Sequence, residues 1–97
     1  MTTTTRASAD NLAASTVWAL AWENATSGAS AWRRSRTDAE ALFADWCALQ
    51  GPGDTFALWE ATVPAEASRD VITQIVDTQM WTRDYKPLRR VVAAVTT

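Results

Sequence analysis

The chain contains no histidine at all and only one cysteine, one lysine and one tyrosine among its 97 residues, with three glycines and three prolines. Without an imidazole, Ser-His-Asp and Cys-His catalysis and the usual nitrogen ligands of transition metals are excluded, and acid–base work is left to carboxylates, Lys86, Tyr85 or Cys47. A lone Cys47 forms no internal disulfide, so the fold must hold without covalent staples, as in a reducing cytoplasm. With glycines only at 28, 51 and 53, neither a Walker loop nor a dinucleotide-binding fingerprint can be drawn. The longest apolar stretch, residues 12–22, is broken by Ser15 and Thr16 and falls far short of the roughly 20 residues that span a bilayer. A basic start followed by a continuous apolar segment, the mark of a secretory signal, is also missing. These absences predict a non-catalytic protein without cofactor or metal, with no membrane contact and a cytoplasmic location. Asn24-Ala25-Thr26 matches the glycosylation pattern but reads as a turn.

What is present is sorted charge. Eight of the eleven acids (Asp38, Glu40, Asp45, Asp54, Glu60, Glu66, Asp70 and Asp77) lie between Thr37 and Trp81, where the only base is Arg69, giving that stretch a formal charge of −7. The rest of the chain carries +5, and the total is −2. Two opposed fields along one chain speak about partners rather than about fold.

Hydrophobic residues make up 47% of the chain, enough at this length for one domain with one small core. Residues 1–12, with the Thr2–Thr5 run, read as a disordered leader, and 13–97 as a single α+β domain. Residues 16–24 (TVWALAWEN) read as a strand with Trp18, Leu20 and Trp22 on one face. A turn around Gly28 leads into residues 31–36, where Trp32, Arg34 and Arg36 alternate with Ala31, Arg33 and Ser35, completing a hairpin. Thr37 with Glu40 three positions on predicts a capping box and a helix that ends at Gly51-Pro52-Gly53. Its inward side carries Ala39, Leu42, Phe43, Trp46 and Leu49. Residues 55–63 (TFALWEATV) read as a buried strand stopped by Pro64. A second helix runs from about Ala65 or Ser68 to about Gln79, with Ser68, Val71, Ile72, Ile75, Val76 and Gln79 inward, and residues 88–95 form a last strand. The order ββαβαβ predicts an α+β fold with both helices on one face of a three- or four-stranded, mostly antiparallel sheet.

Placed 100° apart per residue, Glu66, Asp70, Thr73 and Asp77 fall on one line of the second helix, with Trp81 just beyond its end. A stripe of about 16 Å with carboxylates at intervals suits a basic protein surface, or imitates a short run of phosphates. Glu40 and Asp45 extend the acidic set on the first helix. The competing reading is a solvated helix face that serves solubility. Of the six tryptophans, Trp18, Trp22, Trp46 and Trp59 take core-compatible positions, whereas Trp32 and Trp81 are expected to be partly exposed, Trp81 as an apolar anchor for a partner. Trp32 with Arg33, Arg34 and Arg36 forms a candidate single-strand nucleic-acid surface, a phosphate grip with an indole on which a base stacks. An acidic overall balance and the lack of a nucleic-acid-binding signature weigh against it. Cys47, at the edge of the first helix's core side, reads as a small packing residue.

In profile, the chain resembles phage-encoded inhibitors of bacterial defence, notably anti-CRISPR proteins: small, cofactor-free, with an acidic face such as Glu66/Asp70/Asp77, and Arg-rich but Lys-poor. The resemblance implies a non-catalytic inhibitor that occupies a basic, nucleic-acid-binding surface of a partner such as a Cas subunit inside a bacterial host. A homo-oligomeric structural or adaptor protein, paired as a homodimer through the alanine-lined outer side of the first helix, is the alternative, and a nucleic-acid binder through the arginine hairpin is the third.

Overall fold

The structure, a computed structural model, describes residues 14–49 and 51–92. The expected leader (1–12), and the ends of the expected domain and last strand beyond residue 92, lie outside the described residues. The elements follow the order β1 (Ser15–Glu23), β2 (Gly28–Arg33), α1 (Arg36–Ala48), β3 (Thr55–Val63), α2 (Arg69–Thr82) and β4 (Pro87–Val92). The four strands form one antiparallel sheet in the order β2-β1-β3-β4. The α+β class, the element order and the antiparallel pairing agree with the sequence reading.

The helices pack against opposite faces of this sheet, which corrects the expectation that both lie on one. One core joins Val17, Ala19, Ala21, Ala57, Trp59, Ala61 and Val63 to Ile72, Val76 and Met80 of α2. The other joins Leu20, Phe56 and Leu58 to Ala39 and Phe43 of α1, with Trp18, Trp22, Trp46 and Cys47 against them. The cause is in the strands. Successive side chains point to opposite faces, so β1 presents Val17/Ala19/Ala21 to one side and Trp18/Leu20/Trp22 to the other. Both sets are apolar, and a strand that is apolar on both faces must be covered on both.

Both helices begin at a serine. Ser35 caps α1, its hydroxyl accepting from the Asp38 N–H, in place of the expected Thr37–Glu40 capping box. Glu40 instead pairs with Arg36, one turn back, at 3.1 Å. Ser68 caps α2 by accepting from the Val71 N–H, so Glu66 lies in the turn before the helix and not on it. The inward side of α2 is Ile72, Val76 and Met80, with Ile75 half-buried, and Val71, expected inside, is 42% exposed. A left-handed Arg83 (φ 59°) closes the helix. The following connection returns across the sheet, stacking Tyr85 on Trp59 with ring centroids 4.0 Å apart.

At the far end of the sheet Gly28 meets α2. A Cβ there would lie 2.6 Å from the Met80 methyl and 3.0 Å from the Trp22 carbonyl oxygen, so the close approach of β2 to the helix favours glycine.

Candidate functional site

The outer half of α2 is the most organised exposed surface that carries residues singled out from the sequence. Asp70, Val71, Thr73, Gln74, Thr78 and Trp81 are all exposed on this helix, Trp81 to 56%. Val71, Gln74, Ile75, Thr78 and Gln79 line a shallow, largely apolar groove of about 350 Å³. Trp81 stands one turn beyond the groove, near the helix C-terminus.

The carboxylates do not form the uninterrupted stripe expected from helical spacing. Asp70 is exposed on the first turn, and Glu66 is exposed in the preceding turn. Asp77 is half-buried and accepts a hydrogen bond from the Ser30 hydroxyl at 3.3 Å, so it ties α2 to β2. Thr73, between them, accepts from the Trp32 indole N–H at 2.9 Å. The line therefore faces the β2 edge at its C-terminal half and solvent at its N-terminal half. Glu40 and Asp45 belong to α1, across the sheet, and form no common surface with the α2 residues. Asp45 is exposed, and Glu40 is engaged by Arg36.

The nucleic-acid alternative loses its stacking platform. Trp32 was expected to be partly exposed, but it is buried, 8% accessible, with its indole N–H bonded to Thr73. The Arg34 and Arg69 guanidinium carbons lie 5.3 and 5.2 Å from the ring centroid, so its π faces already hold cations. Arg33 bonds to the Trp32 carbonyl oxygen and Arg36 to Glu40. The alternation of residues 31–36 shows which residues share a strand face, but not that α2 covers the face bearing Trp32.

Two further arginines are held by neighbours in the fold. Arg83 grips Glu23 through both guanidinium nitrogens, one contact at 2.9 Å, and the Glu23 hydrogen bond and charge push the Arg83 pKa further up. Arg89 lies over the Phe43 ring at 5.1 Å. Cys47 is half-buried; burial pushes its thiol pKa up, partly offset by the Arg89 charge.

A second concavity opens at the C-terminal end of α1. It is lined by Trp22, Trp46, Leu49, Asp54 and Phe56 and has a volume of about 340 Å³. Spacing alone gives the tryptophans core positions, and Asp54 sits in the turn after Gly51-Pro52-Gly53, so only the tertiary fold gathers them.

Comparisons with protein-family models, with curated proteins and with solved structures found no match for this chain. No helix among the described residues is long and apolar enough to cross a membrane.

Proposed function

We propose that the protein is a non-catalytic binding module that docks through the outer half of α2 onto a basic protein surface and inhibits that partner by covering it. The observation that carries this reading is Trp81: a large indole, 56% exposed, on the same outward side as Val71 and the apolar groove beside it. An exposed aromatic next to a shallow apolar groove supplies the anchor and the dry centre of an interface, and charged groups around it supply steering. Here those charges are acidic. Glu66 and Asp70 are exposed and lack ion-pair partners among the described residues, whereas Arg69 lies over Trp32 and Arg83 is paired with Glu23.

A basic surface that receives such a face is the kind that binds nucleic acid, and a small domain seated on it competes for the same site. This mode is similar to that of phage-encoded inhibitors of bacterial defence. In a co-purification from bacterial lysate, tagged wild type, Trp81→Ala and the double variant Glu66→Gln/Asp70→Asn are compared across a salt series. Trp81→Ala is expected to lose the wild-type partner at every salt concentration. The double variant is expected to lose it chiefly at low salt, where the steering charges matter most. Undiminished recovery by both folded variants overturns the reading. Asp77 is left out of the test because its contact with Ser30 makes it part of the fold.

A further inference from the structure

The cleft at the end of α1 lies on the opposite face of the sheet from the α2 surface, and its chemistry is different. Trp22 and Phe56 contribute from adjacent strands, where they are paired across the β1–β3 ladder, and Trp46 from the last turn of α1. Leu49, 83% exposed, forms the rim. Among the described residues the one charged lining residue is Asp54, and its carboxylate is held in place: one oxygen accepts from the Asn24 side-chain amide at 3.2 Å, the other from the Gly51 N–H at 2.8 Å. Among the described residues no base lines the cleft.

Aromatic faces carry negative potential and attract cations, most strongly tryptophan. This protein uses that attraction elsewhere, with Arg34 and Arg69 over Trp32 and Arg89 over Phe43. Among the described residues, Trp22, Trp46 and Phe56 hold no guanidinium, although their cleft also contains a fixed carboxylate.

We propose that this cleft is a binding site for a small organic cation of the quaternary ammonium class. The volume is at the low end of small-ligand pockets, which run from about 300 to 1,000 Å³. Aromatic side chains and a single carboxylate match a methylated ammonium, which needs charge and apolar contact but no hydrogen-bond acceptors. A primary ammonium, which gives up three hydrogen bonds to water on entry, is matched less well.

The test is a titration followed by the indole N–H resonances, with choline as the probe. Two comparators are used: its neutral carbon isostere, in which a tert-butyl group replaces the trimethylammonium, and methylammonium. Choline is expected to shift the Trp22 and Trp46 resonances saturably in the millimolar range, and the isostere to bind about tenfold more weakly. Asp54→Asn, which keeps an acceptor for Asn24, is expected to bring choline down toward the isostere. Trp46→Leu, which keeps apolar volume but removes a π face, is expected to weaken choline at least about fivefold, with thermal unfolding confirming that each variant is folded. Equal binding of choline and isostere, absence of a saturable shift, preference for methylammonium, or indifference to both substitutions overturns the proposal.

Discussion

The two faces of the sheet are built from alternate residues of the same strands, yet they are finished differently. On the α2 face Trp59, Ile72, Val76 and Met80 are at most 1% exposed. Its two indole N–H groups have side-chain acceptors, Trp59 on Gln79 at 2.8 Å and Trp32 on Thr73 at 2.9 Å. On the α1 face Leu20, Phe43 and Leu58 are fully buried, but Trp18, Trp22, Leu42 and Trp46 remain half-buried around them. The Trp18 indole N–H there is buried without an acceptor among the described residues. A buried donor without a partner is costly, and half-covered rings leave apolar surface wet. The contrast shows that one sheet can be fully covered on one side and leave half-covered aromatic surface on the other. The α2 face closes because a polar residue on the helix meets each indole.

The largest effect that tests this contrast comes from truncating one tryptophan on each side. Trp59→Ala is expected to cost about 3–5 kcal/mol in urea unfolding, since it opens a cavity and strips Tyr85 of its stacking partner. Trp46→Ala, half-buried, is expected to cost about 1–2 kcal/mol. Equal losses break the comparison. An intermediate effect is expected at Gly28→Ala, about 1–3 kcal/mol, because the added methyl presses on Met80 and on the Trp22 carbonyl. Gly51→Ala makes only an ordinary 3.4 Å contact with the Asp54 carboxylate, and its expected change is within about 0.5 kcal/mol.

The smallest effect is chemical. Burial favours the neutral Cys47 thiol, so alkylation at neutral pH is expected to be slower than for a free cysteine and to rise only through the alkaline range. Because the folded pKa is raised, the associated stability is present below the ordinary thiol pKa and lost as pH rises through the raised one. Arg89→Gln removes the charge that opposes the shift and is expected to slow alkylation further at a given pH.

Element types and order were legible because each has a local signature: period-two runs in β1 and β3, turn residues at 24–30 and 51–54, and serine or threonine ahead of each helix. The placement of the helices was also written in β3, where Phe56 and Leu58 oppose Ala57 and Trp59. In β1 the second face is made of valine and alanines, which a search for large residues passes over. Helical spacing placed Asp70 correctly on the exposed part of α2; Trp81, expected just beyond a helix ending near Gln79, is exposed within its last turn, because the helix runs on to Thr82. Spacing misjudged Glu66 because the Ser68 cap starts the helix later, and Asp77 because the β2 edge was not visible to it. Trp32 looked exposed between arginines. Its cover comes from Thr73 and Arg69, roughly forty residues away, and no local pattern encodes such a contact.

Tyr85 is the only tyrosine in the chain, and it lies face to face with Trp59, 4.0 Å between centroids and 17° from parallel. At that separation excitation of the phenol is passed to the indole before it can be emitted, so the folded protein is expected to show tryptophan light alone. Release of the connection that leads into β4 separates the two rings and removes the coupling of their stacked transitions, a change expected in near-ultraviolet circular dichroism. The stacked pair is thus a built-in optical gauge of whether the last strand is seated. Its signal distinguishes loosening of that edge from global unfolding without any label.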